Sequence, residues 1–222
     1  MKDCSVQNRG NNSGHPVLFI PGHWGYYEQA RSLGAHGTGM TRQHEAVTGS
    51  LMYSRYLDDA TRMSREKSGD EFLYDVFVVD FNSEASAIHA SFMHNQAVFA
   101  NRAIQTILST CSVESVTLVG HSFGGVIARA VPVVAVEDYV PGSIRTIISL
   151  GSPHVGLPYS FDRSVDDFYQ QVNKYWKIND VDNNVKDISV VSLSGGLRDE
   201  LIRQDLTNMD SLHEHSISVS VQ

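Results

Sequence analysis

Five residues, Gly120-His121-Ser122-Phe123-Gly124, set a serine between glycines at the spacing G-x-S-x-G. A serine hydroxyl is a weak nucleophile and attacks an acyl carbon only in a particular setting. The spacing supplies part of that setting. Small residues two before and two after let a strand turn sharply into a helix, with the serine at strained backbone angles. The hydroxyl then stands above a sheet at a helix N-terminus, where the dipole favours developing negative charge. The pentapeptide by itself also occurs as a plain turn. Here the apolar run Val116-Thr117-Leu118-Val119 precedes it and a helix-compatible segment follows, with Gly125 continuing the close packing. Ser122 is therefore the candidate nucleophile.

Acyl transfer through serine also needs donors for the oxyanion, a base, and a carboxylate that orients the base. One donor is expected from the backbone N–H of Phe123. The second is expected from Pro21-Gly22-His23-Trp24-Gly25, a turn after an apolar run, with the N–H of His23 preferred and that of Trp24 next. The chain order of such sites is serine, then acid, then histidine. Asp199, reached through Ser194-Gly195-Gly196-Leu197-Arg198, is the candidate acid, ahead of Asp205 and Asp162. The competing reading is a surface pairing of Asp199 with Arg198 or Arg203. The base has no good candidate. His213 and His215 precede the last apolar run and fall at the wrong end of it, and His121 sits beside the nucleophile but points differently. His154 follows an apolar run on the correct edge and is expected to line the substrate pocket rather than act as base. This chemistry calls for no metal and no organic cofactor.

Those groups must be held by a frame. Short continuous apolar runs at 17–20, 75–81, 116–119, 144–150, 188–193 and 217–221 read as buried strands. Between them, residues 26–35, 89–109, 123–136 and 165–176 read as helices, the second with Phe92, Val98, Phe99, Ala103, Ile104, Ile107 and Leu108 at helical spacing. Pro132 is expected to kink or end the third. The polar stretch 37–70 reads as a surface insertion with a helix over about 51–66. Residues 1–15 read as a loose tail. Strands alternating with helices imply a mostly parallel sheet with helices on both faces.

The chain has 222 residues, 41% of them hydrophobic, and a net charge of −8. That is enough apolar material for one α/β domain. The negative balance argues against nucleic acid, which wants a basic face. No window approaches the apolar length of a membrane span. The two cysteines, Cys4 and Cys111, form no disulfide framework or zinc pattern and read as free thiols. Asn11-Asn12-Ser13 is a glycosylation sequon, which matters only in a secretory lumen.

Several segments together resemble the GPI inositol-deacylase family: Val17 to Gly22, Tyr27 to Gly34, Val79-Asp80-Phe81-Asn82, Val119 to Ala130, and Ser152-Pro153-His154. The more specific ones are the run Asp162 to Trp176, with Asp167-Phe168-Tyr169 and Val172-Asn173-Lys174-Tyr175-Trp176, and Ser194-Gly195-Gly196-Leu197-Arg198-Asp199. The resemblance covers most of residues 16–222. It implies a lipase-like α/β-hydrolase fold, incomplete at the C-terminus, with Ser122 as nucleophile and Asp199 as triad acid. It implies removal of the acyl chain from the inositol of GPI anchors, partners that are GPI-anchored proteins, a role in their transport, and residence in the endoplasmic reticulum membrane. Family members carry membrane spans that this chain lacks, and their histidine falls shortly after the last strand, beyond residue 222. Two other readings stay open: a general lipase or acyl esterase, and a catalytically silent hydrolase-fold module.

Overall fold

The computed structural model describes residues 15–31, 41–47, 50–54, 74–135, 137–159, 162–177 and 184–221. Its strands are β1 (His15–Ile20), β2 (Thr41–Val47), β3 (Ser50–Ser54), β4 (Tyr74–Val78), β5 (Val116–His121), β6 (Ile144–Leu150), β7 (Ser189–Ser194) and β8 (Ser216–Ser220). They form one sheet in the order β3-β2-β4-β1-β5-β6-β7-β8. Every neighbouring pair is parallel except β2 with β3. The C-terminal ends of β1, β4, β5, β6 and β7 therefore open onto one edge, where α/β sheets place their ligands.

The helices are α1 (Ala90–Cys111), α2 (Phe123–Val134), α3 (Arg163–Lys177) and the short α4 (Gln204–Thr207). In α1 the buried stripe runs through Met93, Ala97, Ala100, Ile104, Ile107 and Cys111. Those intervals of three and four follow the 3.6-residue period. Phe92, assigned to the apolar face by spacing, stands at the solvent edge. Helix α2 is buried almost all round, as expected of a helix apolar on every side, and Pro132 sits in its last turn.

Strand alternation divides the core. Leu18, Ile20, Phe77 and Leu118 face the cluster shared by α1, α2 and α3. Val17, Phe19, Val76, Val78 and Val119 face the other side, where Ala30 and Tyr27 pack. The expected helices on both faces are thus met on one face by three long helices. On the other, the described residues contribute a single 3-10 turn, Tyr27–Gln29, and the start of the segment expected as a helix over 26–35.

Two expectations are corrected. Residues 51–54 are not helical: they form β3, which pairs antiparallel with β2 at the sheet edge. Cross-strand pairing outweighs the weak helical spacing of that stretch, and the rest of 55–66 lies outside the described residues. Cys111 is not a free thiol but is disulfide-bonded. A single bridge between distant segments leaves no spacing signature, so a count of two cysteines could not reveal it. The other cysteine, Cys4, lies outside the described residues, as does the expected tail except for His15, which opens β1 opposite Tyr74.

Candidate active site

Strand β5 ends at His121, and Ser122 caps α2 at φ 52° and ψ −123°. This left-handed angle is costly for a residue with a Cβ and persists only where the surroundings over-determine it. The surroundings are visible. The Ser122 N–H donates to the carbonyl of Leu150 at the end of β6 (2.8 Å), and Gly125 N–H donates to the Ser122 carbonyl (3.2 Å). A Cβ on Gly124 would collide with the carbonyl of Ile20, so the helix start can sit against β1 only with glycine there.

The turn after β1 lies beside this elbow. Gly25 N–H donates to the Gly22 carbonyl (2.9 Å), closing a four-residue turn. Within it the His23 ring lies 4.5 Å from the Trp24 ring and 6.1 Å from that of Phe123, centroid to centroid. The His23 ring is anchored by Ala87, whose N–H donates to its Nδ1 (3.0 Å). That acceptor role puts the ring proton on Nε2, and burial holds the ring's pKa below its usual value. Among the described residues, the backbone N–H groups of Phe123 and His23 have no hydrogen-bond partner. The N–H of Trp24, the second choice for an oxyanion donor, is corrected: it donates to the carbonyl of Glu84 (3.1 Å) and is already used. Trp24 itself adopts φ 51° and exposes 60% of its surface.

Asp199 follows the 3-10 turn Gly196–Arg198 beyond β7. Its Oδ1 accepts from the N–H groups of Leu201 (3.1 Å) and Ile202 (2.8 Å). Its Oδ2 faces the elbow edge, 3.4 Å from where a Cβ on Gly151 would stand. The carboxylate is close enough to His121 to pull that ring's pKa upward, against a larger lowering by desolvation. So one oxygen is held by backbone and the other turns toward the ends of β5 and β6. The alternative surface pairing is not seen, because Arg203 instead binds Asp205 through Nε (3.0 Å) and a terminal nitrogen (2.6 Å). Asp162 caps α3 by accepting from Ser164 N–H (2.7 Å). Both competitors are thus engaged by local partners.

His154 does not line a pocket. It is completely buried. Its Nε2 lies 2.7 Å from Ser149 Oγ and its Nδ1 3.4 Å from a terminal nitrogen of Arg129, which also donates to the His154 carbonyl (3.2 Å). Arginine can only donate, so Nδ1 accepts and Nε2 carries the proton toward Ser149. Burial and the neighbouring guanidinium hold His154 well below its usual pKa, so it is neutral. The sequence offered no sign of this, because the partner that pulls His154 inward lies 25 residues away on α2. Arg129 is itself fully buried, donates to Asn173 Oδ1 (2.8 Å), and packs 5.2 Å from the Trp176 ring centroid. Trp176 Nε1–H returns a bond to the Arg129 carbonyl (2.9 Å). This network, absent from the sequence reading, locks the nucleophile helix to α3 and to the loop after β6.

His213 and His215 lie as expected. His213 Nε2 meets the carbonyl of Ile188 (2.7 Å), at the N-terminal end of β7, and its ring packs edge-on against Trp176. Both are remote from Ser122. The described residues hold no cluster of three or more metal-ligating side chains and no helix long and apolar enough to cross a membrane.

The sequence also aligns with known proteins. It is 33% identical over 214 residues to the GPI inositol-deacylase of Kluyveromyces lactis, covering 90% of this chain and 20% of that protein. It is 33% identical over 215 residues to the GPI inositol-deacylase of Schizosaccharomyces pombe, covering 88% and 17%. The chain thus spans about a fifth of the length of the curated relatives it matches. Among solved structures, the mature form of a Bacillus licheniformis lipase superposes with a TM-score of 0.56 at 12% identity, covering 96% of this chain and 86% of that one. Aspergillus fumigatus lipase B gives 0.53 at 12%, covering 96% and 46%. These likenesses establish the α/β-hydrolase fold. Residues 11–222 match the PGAP1-like alpha/beta domain, and the chain belongs to that family.

Proposed function

We propose that this chain is the hydrolytic domain of a GPI inositol-deacylase and cleaves the acyl ester on the inositol of a GPI anchor. The observation that carries the reading is one sheet edge: Ser122 at φ 52°, N–H groups of Phe123 and His23 that have no partner among the described residues, and a carboxylate with one oxygen held and the other turned toward the elbow. The family match supplies the substrate class.

In this mechanism Ser122 Oγ attacks the ester carbonyl carbon while a histidine takes its proton. The carbonyl oxygen becomes an oxyanion held by the N–H groups of Phe123 and His23. The tetrahedral intermediate collapses, the inositol hydroxyl leaves with the proton from histidine, and an acyl-serine remains. Water, activated by the same histidine, releases the fatty acid. Asp199 Oδ2 accepts from the imidazole and keeps it in the right tautomer. No described histidine lies in that position, and the proposed base comes from chain following Val221. Its delivery there is supported by the course of β8: Val221 N–H donates to the Ser194 carbonyl (2.9 Å), beside the Gly195–Asp199 turn. A residue soon after β8 is thus led toward Asp199.

Exposed apolar side chains around this edge, Trp24, Tyr26, Leu197 and Leu201, suit a lipid-type ester presented at a membrane surface. The bonded Cys111 suits an oxidising lumen, which supports residence in the endoplasmic reticulum and a role in the export of GPI-anchored proteins. That no described histidine lies in the base position also favours a second reading, a silent module that binds the lipid without cleaving it.

Fluorophosphonate labelling separates the two. The 222-residue chain and a version continued past residue 222 are compared, each with Ser122→Ala. Labelling of the longer chain that Ser122→Ala abolishes supports the esterase. A folded, longer chain that labels no faster than its Ser122→Ala variant overturns it in favour of the silent module.

A further inference from the structure

The side chain of His23 holds a donor that the fold does not use. His23 follows Gly22, whose Cα packs against Ser122 and Phe123. Its ring is half-buried, 6.1 Å from the Phe123 ring and 4.5 Å from the Trp24 ring. Ala87 N–H donates to its Nδ1 (3.0 Å). A backbone N–H cannot accept, so Nδ1 carries no proton and Nε2 does. That Nε2–H has no hydrogen-bond partner among the described residues, and it is not one of their buried, unpaired atoms, so it is open to a ligand. Burial holds the ring's pKa below its usual value, which keeps the imidazole uncharged at neutral pH.

These facts exclude one role and leave another. A general base needs an unprotonated nitrogen facing the serine. The unprotonated nitrogen of His23 is spent on Ala87. A neutral imidazole with its proton pinned on the free nitrogen is instead a donor set in place before substrate arrives. Such a donor stabilises developing charge because it needs no reorganisation at the moment of reaction. A neutral imidazole can polarise a carbonyl without surrendering its proton. The loop after β4 holds the turn on both sides of this donor: Ala87 N–H binds the ring, and the Glu84 carbonyl accepts from Trp24 N–H (3.1 Å).

We propose that the His23 side chain is a catalytic residue, its Nε2–H donating to the oxyanion beside the backbone N–H groups of Phe123 and His23. Its part in cleavage rests on the esterase reading. Ser122 Oγ bonds to the carbonyl carbon, the π pair moves onto the carbonyl oxygen, and the serine proton goes to the base. His23 transfers no proton. Its hydrogen bond strengthens as charge grows on the oxygen and relaxes when the carbonyl re-forms and the alcohol leaves.

The test uses the chain continued past residue 222 and a fluorophosphonate. Ser122 Oγ bonds to phosphorus, fluoride leaves, and the phosphoryl oxygen takes the place of the oxyanion. His23→Leu offers neither acceptor nor donor and is expected to slow labelling about a hundredfold. His23→Gln has an amide that can accept from Ala87 N–H and donate outward, and is expected to stay within about tenfold of the parent. In NMR spectra of ring-nitrogen-labelled protein, the His23 Nε2–H is expected to exchange rapidly with solvent before the reaction and to be protected in the adduct. Three results overturn the proposal and leave the esterase reading standing: His23→Leu labels at the parent's rate, the Leu and Gln variants slow equally, or the Nε2–H exchanges as fast in the adduct as before. A longer chain that labels no faster than its Ser122→Ala variant sinks the esterase reading and this proposal with it.

Discussion

Gly22 stands against the candidate nucleophile so closely that a Cβ on it would lie 2.8 Å from Ser122 Cβ and 3.3 Å from Phe123 N. The turn after β1 and the start of α2 are thus in backbone contact, and the gap between them is the space an oxyanion would enter. Gly22→Ala must push the two apart. It is expected to cost about 1–3 kcal/mol, or a fall in Tm of about 2–12 °C, and to slow fluorophosphonate labelling by more than the stability loss explains. Gly156→Ala, where a Cβ meets nothing within 4 Å, is the control and is expected to stay within about 0.5 kcal/mol of the parent. Thermal melts and labelling rates of both variants check this.

Asp199 gives a second prediction, because its two oxygens have different work. Asp199→Asn keeps an oxygen to accept from Leu201 and Ile202 but loses the charge facing the elbow. In the chain continued past residue 222, kcat is expected to fall by about four orders of magnitude with Tm nearly unchanged. Asp199→Ala loses both functions and is expected to lower Tm as well. Ester hydrolysis and melting measured on both separate orientation of the base from support of the loop.

Arg129 is a buried cation whose oriented partners are neutral: the His154 carbonyl and ring, Asn173 Oδ1, and the face of Trp176. Burial pulls its pKa down to about 9, still cationic at neutral pH. Arg129→Met removes the donors and leaves the buried His154 carbonyl and the half-buried Asn173 Oδ1 without them. A loss of about 3 kcal/mol is expected from two bonds made by a charged donor. Arg129→Lys, which cannot span both acceptors in one plane, is expected to recover only part of it. Urea denaturation of the two variants measures the difference.

His154 makes stability depend on pH. Its folded pKa is depressed well below 6.5, so between those values the unfolded chain binds a proton that the native protein refuses. Stability is then fully present above about pH 6.5 and falls as pH drops through that value, by up to about 1.4 kcal/mol per pH unit for this one group. His213, His23 and His15 are shifted in the same direction by burial. The test is therefore a difference. His154→Gln is expected to be less stable at pH 7.5 and to show a shallower decline between pH 6.5 and 5 than the parent.

Cys111, at the end of α1, is bonded, and the sequence has one other cysteine, Cys4. Neither thiol is expected to react with iodoacetamide in the native protein, and both are expected to react after reduction. Reduction is expected to lower stability by about 2–4 kcal/mol. Intact mass with and without reductant, and a melt in each condition, measure both effects.

The elbow was legible because its causes are local. The G-x-S-x-G spacing, the apolar run before it and the apolar helix after it all act within about 20 residues, and short-range sterics suffice to predict a strand, a strained serine and a helix. The inner parallel strands β1, β4 and β5 were legible for a similar reason, since a buried strand is a continuous apolar run, whereas β8, expected as buried, is a half-exposed edge strand with Ile217 and Val219 open to solvent. The edge hairpin β2–β3 was not, since its residues pair with each other and with β4 through backbone bonds that no periodicity records. The sequence by itself determined the fold class and the identity of the candidate nucleophile and acid. Only the tertiary structure decided what the remaining groups do. It turned His154 inward because Arg129 and Ser149 wait there, and it spent the Trp24 N–H on Glu84. It also divided the oxygens of Asp199 between backbone and site. Each outcome depends on a partner distant in sequence or on the direction of one bond. Hydrogen bonds are directional and short, so the types and spacing of residues fix who could meet, while the packed chain alone fixes who does.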